Sequence, residues 1–122
     1  MITLVLDEAA KQEIINDYFY QTPFLLLVQA LSRDDVFHYC YSEPHGLYLS
    51  DYFDEEEEGY FGRNKVRISE MSNFYDDDEV ELTYSEFWGI LQREAAKYLK
   101  DHADEADEVN SYMVKIKEKL GV

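Results

Sequence analysis

The spacing of apolar residues changes twice along this chain, from helical to alternating and back to helical. Ala10, Ile14, Ile15, Tyr18 and Phe19 form a stripe at helical spacing, predicting a helix from Glu8 to Phe19 behind an Asp7 cap. Thr22-Pro23 predicts a second start, with Thr22 as N-cap and Pro23 at the first helical position. The helix behind it runs from Phe24 to Leu31. Its apolar run Leu25-Leu26-Leu27-Val28 also suits a central strand, but helix is the preferred reading. From Val36 the period falls to two: Val36, His38, Cys40 and Ser42 alternate with Phe37, Tyr39 and Tyr41. Glu43-Pro44-His45-Gly46 has the composition of a turn, and Leu47-Tyr48-Leu49 that of a short strand. Tyr60-Phe61-Gly62 and Val66-Arg67-Ile68 flank Arg63-Asn64-Lys65, predicting a hairpin. Val80 to Tyr84 is a further strand.

Helical spacing then returns. Thr83 and Glu86 fit a capping box, with Ser85 as an alternative cap, ahead of a helix reaching about Lys100. That helix buries Phe87, Leu91, Ala95, Tyr98 and Leu99. Val109, Tyr112, Met113, Ile116 and Leu120 mark one face of a last helix that Gly121 stops. Lys115, Lys117 and Lys119 crowd its C-terminal end, with acids at its front, as the helix macrodipole favours. Helices, then strands, then helices predict an α+β fold, with a small antiparallel sheet packed against N-terminal and C-terminal helices. Nothing repeats and no Gly/Ser linker divides the chain, so residues 1–122 are expected to form a single domain.

Charge adds what periodicity lacks. Twenty-seven Asp and Glu against eleven Lys and Arg leave a formal charge of −16 on 122 residues. The acids are clustered in Asp54-Glu55-Glu56-Glu57-Glu58, in Asp76-Asp77-Asp78-Glu79, and in Asp101, Asp104, Glu105, Asp107 and Glu108. Disordered acidic chains are poor in aromatics, whereas this one is 46% hydrophobic and 16% aromatic, so it folds. Such a field repels phosphate and anionic lipid and attracts basic surfaces; neither nucleic acid nor membrane is an expected partner. Acid runs are commonly no more than solvated faces. Here Tyr52, Phe53, Tyr60 and Phe61 flank the first block, and Phe74 and Tyr75 abut the second. Carboxylates beside aromatics suit a surface that grips a cationic protein, because aromatics are enriched among interface hot spots.

Catalytic and metal patterns are weak. His38, His45 and His102 occupy three different settings, and no pair has the i, i+4 spacing of a helical metal site. Cys40 shares a strand face with His38, but two ligands make no zinc site. Asp76-x-Asp78 opens like a calcium loop, yet Glu81 stands where glycine is needed and Phe87 where the closing glutamate belongs. No cofactor is expected, and an enzyme is not the favoured reading. A lone cysteine, the absence of a basic n-region in Met1 to Asp7, and no apolar run near the ~20 residues of a membrane helix lead us to expect the cytoplasm.

One stretch carries a family resemblance. Gly59-Tyr60-Phe61 follows an acidic segment and precedes a basic strand. Asp76-Asp77-Asp78-Glu79-Val80-Glu81-Leu82-Thr83-Tyr84-Ser85-Glu86-Phe87 then leads into an amphipathic helix. This order, over about the central third of the chain, resembles the immunity proteins of bacterial contact-dependent growth inhibition (CDI) systems, particularly those paired with ribonuclease toxins. The resemblance implies that the chain binds the C-terminal toxin domain of a cognate effector and blocks its active site or substrate surface. Asp51, Asp54, Glu55, Glu56, Glu57, Glu58, Asp76, Asp77, Asp78 and Glu79 are the candidate electrostatic surface, with Tyr52, Tyr60, Phe74 and Tyr75 as anchors. A DNA-mimic inhibitor of a DNA-binding or restriction protein is the alternative.

Overall fold

The computed structural model describes residues 8–42, 45–50, 56, 62–70 and 78–122. Helix α1 (Glu8–Gln21) and helix α2 (Phe24–Leu31) precede strands β1 (His38–Ser42), β2 (His45–Leu49), β3 (Lys65–Glu70) and β4 (Asp78–Thr83). Helix α3 (Tyr84–Asp101), a 3-10 turn (Ala103–Glu105) and helix α4 (Ala106–Leu120) complete the described chain. The strands form one antiparallel sheet in the order β1-β2-β3-β4, so each strand lies beside its neighbour in sequence. This is the expected α+β arrangement.

Alternation along the strands decides which face the helices cover. Leu47 and Leu49 of β2, Val66 and Ile68 of β3, and Val80 and Leu82 of β4 are buried. Register places Leu47 opposite Ile68 and Ile68 opposite Val80, so these residues form continuous rows across the strands. Onto this face α1 packs against β3 and β4, α3 against the same pair, and α2 against β1. Helix α4 packs instead on α2 and α3, one layer further out, through Val109, Met113, Ile116 and Leu120. Tyr18 of α1 is fully buried, and its hydroxyl donates to the Tyr39 carbonyl at 3.0 Å, joining α1 to β1.

Helix ends follow from particular side chains. Thr83 accepts from the Glu86 amide at 3.1 Å, and the Glu86 carboxylate accepts from the Thr83 amide at 2.9 Å, completing the capping box. Gly121 adopts φ +69°, the left-handed conformation that ends α4, and its amide donates to the Lys117 and Glu118 carbonyls. In α2, Phe24, Leu27, Val28 and Leu31 are buried while Leu26 is 51% exposed. Helical spacing thus sorts a run that sequence alone leaves open to a strand.

Three local expectations need correction. Thr22 closes α1 instead of capping α2: its hydroxyl donates back to the Tyr18 carbonyl at 2.6 Å, and Pro23 stands at the N-cap. His45 and Gly46 belong to β2, not to a turn, with His45 opposite Ser42. Val66, Arg67 and Ile68 lie in β3 between β2 and β4, while Tyr60 and Phe61, the other arm of the expected hairpin, lie outside the described residues. Strand β4 begins at Asp78, two residues earlier than the pattern suggested, and Tyr84 opens α3. The Asp7 cap lies outside the described residues.

Candidate functional site

The second face of the sheet has no described helix against it. Residues that alternate with the core project there, and register aligns them: His38 opposite Tyr48, Tyr48 opposite Arg67, and Arg67 opposite Glu81. One row therefore crosses all four strands. The His38 and Tyr48 rings lie near parallel, with an interplanar angle of 8° and centroids 5.9 Å apart. Cys40 Sγ lies 3.4 Å from the Tyr48 hydroxyl. The Tyr48 ring also covers Gly46, where an added Cβ would sit 2.8 Å from Tyr48 Cε2 and 2.7 Å from Cys40 Sγ. Glycine is needed at this point because the ring and the thiol close over the backbone.

Arg67 organises the acidic side of the row. Its Nη2 donates to Glu81 Oε1 at 3.3 Å, and its Nε lies 3.5 Å from Glu79 Oε2. One guanidinium between two carboxylates leaves this part of the face with a net negative charge, while holding both acids in place. The basic strand between the acid blocks thus neutralises part of their charge within the sheet.

Topology fixes where two of the acid-rich segments attach. The connection holding Asp51, Tyr52, Asp54, Glu55, Glu57, Glu58 and Tyr60 leaves after β2 and returns to the start of β3. At that end Ser50 is fully buried, and its hydroxyl accepts from the Lys65 amide at 3.2 Å. The connection holding Phe74, Tyr75, Asp76 and Asp77 joins the other end of β3 to β4, where Asp78 lies opposite Glu70. The two segments are therefore tethered at opposite ends of the sheet, about 17 Å apart along β3. Those residues themselves lie outside the described residues. Of the candidate surface, Glu56 is described and exposed, Asp78 opens β4, and Glu79 is exposed on the open face.

The third acid cluster is described throughout. Asp101, Asp104, Asp107 and Glu108 are exposed at the turn between α3 and α4. Glu105 accepts from the Tyr98 hydroxyl at 2.5 Å. That hydrogen bond, with burial and the neighbouring carboxylates, pushes the Tyr98 phenol up to about 12. The His102 ring stacks on Tyr98 with centroids 4.1 Å apart, and its Nδ1 lies 3.0 Å from the Tyr98 carbonyl oxygen.

Sequence reading missed two features. It did not place Tyr48 beside His38 and Arg67, since register is set by pairing and is not visible along one strand. It also gave Lys119 only the macrodipole role that it shares with Lys115 and Lys117. Lys119 Nζ instead donates to the carbonyls of Leu31 at 3.0 Å, Arg33 at 2.7 Å and Val36, and lies 4.7 Å from the Phe37 ring centroid.

Among the described residues no group of three His, Cys, Asp or Glu is placed to hold a metal ion, and no helix is long and apolar enough to cross a membrane. Neither the curated proteins nor the solved structures contain a match to this chain. Residues 8–113, from the start of α1 into α4, match the family model described as CDI immunity protein, and the chain belongs to that family.

Proposed function

We propose that this chain neutralises the C-terminal toxin domain of a cognate CDI effector, that the toxin is a nuclease of ribonuclease type, and that an acidic surface makes the contact. Family membership supports neutralisation of a CDI toxin. The observation that carries the finer reading is the tethering of two acid-rich segments at opposite ends of an open sheet face.

Size explains why both the face and the segments are needed. Four strands at about 4.8 Å spacing and about 17 Å of length offer roughly 300 Å². A stable complex buries about 800 Å² on each partner. The segments carrying Asp51 to Glu58 and Phe74 to Glu79 supply the remainder as an acidic rim. A nuclease surface that holds RNA is rich in Lys and Arg, and carboxylates in that rim take the place of phosphates. Charge of this size steers encounter toward ~10⁸ M⁻¹s⁻¹ at low salt. Tyr52, Tyr60, Phe74 and Tyr75 then slow dissociation as desolvated anchors. The protein acts by binding, without catalysis of its own, in the cytoplasm of the cell it protects.

The test is co-purification with the toxin domain encoded next to this chain, followed by an RNA cleavage assay titrated with the protein. A salt-sensitive complex that abolishes cleavage at one equivalent is the expected result. Absence of a complex at low salt removes the proposal. Competition by duplex DNA, with RNA cleavage untouched, transfers the protein to the DNA-mimic class.

A further inference from the structure

On the outer side of the helical layer, α3 and α4 enclose an apolar groove floored by Trp88, Ala95, Leu99 and Met113. Val114 stands on its α4 wall and is 58% exposed. Val114 thereby extends the apolar lining of the cleft onto its exposed wall. The wall itself has an ordered sequence. Asp107, Asn110, Val114 and Lys117 follow one another at helical spacing, and all four are exposed. The acid is at one end and the base at the other. Neither Asp107 nor Lys117 forms an ion pair with another described residue.

That order is complementary to itself. When two copies of α4 run antiparallel about a two-fold axis at the level of Tyr112, Asp107 of each faces Lys117 of the other. Asn110 then faces Val114, and the two valines meet near the axis. A two-fold contact must use the same patch on both copies, and this stripe satisfies that condition. Each α4 seats beside the partner's Trp88 and Leu99, so four helices cover the apolar floor. The stripe contains one acid and one base, so it adds no local repulsion. The −16 charge of each copy lies mostly elsewhere and is screened beyond about 8 Å at physiological salt.

We infer that the α3–α4 groove is a self-association surface through which two copies of this chain pair by antiparallel α4 helices. The inference is independent of the toxin-binding reading, since α4 packs on α2 and α3 and not on the sheet, leaving the open sheet face of both copies free. Two helices per copy make an interface of the small, transient class, so the dimer belongs to high protein concentration.

Sedimentation equilibrium on the full chain, up to sub-millimolar concentration at physiological salt, tests this directly. The wild type is expected to show a concentration-dependent dimer. Val114→Glu should abolish it, and Lys117→Glu should weaken it about tenfold by turning two attractive pairs into repulsive ones. Asp107→Lys combined with Lys117→Glu restores the pairs with exchanged signs and should restore the dimer. Both positions are exposed, and far-UV circular dichroism checks that α4 is retained, because the exchange opposes the helix macrodipole. A wild type that stays monomeric overturns the inference. So does a dimer indifferent to Val114→Glu, or a folded double variant that remains as weak as Lys117→Glu.

Discussion

Replacing Lys119 by Met removes an ammonium group while keeping most of its apolar stem. The group donates to three backbone carbonyls, those of Leu31, Arg33 and Val36, where the chain passes from α2 toward β1. The Arg33 carbonyl is exposed and takes water in exchange. The Leu31 and Val36 carbonyls are partly buried, and each loses a charged donor worth about 1–1.5 kcal/mol net in such a setting. Loss of the contact with the Phe37 ring adds about 0.5–1 kcal/mol. The expected destabilisation is about 3 kcal/mol. With an unfolding entropy of about 2.1 cal/mol/K per residue, a chain this long loses about 0.26 kcal/mol per kelvin at its midpoint, so Tm should fall by roughly 12 °C. Thermal unfolding followed by circular dichroism reads the shift, and urea titration should show a lower midpoint at unchanged slope. Lys115→Met and Lys117→Met, at exposed positions of the same helix, serve as controls near zero. A Lys119→Met midpoint within one or two degrees of these controls refutes the clamp.

Three further outcomes follow from the same geometry. Thr83→Ala removes the side-chain acceptor of the Glu86 amide and should cost about 1 kcal/mol, or about 4 °C in Tm, measured by thermal unfolding. Tyr98 holds its proton more tightly when folded, with a pKa raised from 10.0 to about 12. Its stabilising contribution is therefore complete below pH 10 and is lost as pH rises through about 12. Ultraviolet titration should show a phenol ionising near 12 that Glu105→Gln brings back toward the ordinary value, and an unshifted titration in that variant would disprove the assignment. Charge reversal at Glu56, Glu57 and Glu58 should lower the association rate with the toxin domain and flatten its salt dependence. Stopped-flow rates equal to wild type would take that block out of the interface.

Helices α1, α3 and α4 were legible because each carries an apolar stripe at helical spacing, whereas the continuous apolar run of α2 also suited a strand. The capping box at Thr83 was legible because two side chains three residues apart make it. Strand neighbours were less legible. Val66 and Ile68 announce a strand, but only the assembled sheet shows that β2 and β4 fill both its edges. The outward direction of Glu81 follows from its place between Val80 and Leu82, and that of Glu79 once the alternation is extended one residue backward. Thr22 failed as a helix start because its hydroxyl serves the helix behind it, a choice that the letters Thr-Pro do not encode. Lys119 differs from Lys117 by two positions, enough to turn it from solvent toward carbonyls whose location depends on tertiary packing.

The placement of the acid-rich connections bears on how partner specificity changes over time. Pairing of β2, β3 and β4 is set by Leu47, Leu49, Val66, Ile68, Val80 and Leu82, none of which lies in those connections. Substitutions, and even insertions, between Ser50 and Gly62 or between Glu70 and Asp78 leave that set intact, and lengthening a connection has a small entropic effect. Drift in recognition is thereby separated from drift in the fold. The architecture lets a lineage follow a changing toxin by rewriting two short stretches while its helices and strands stay as they are.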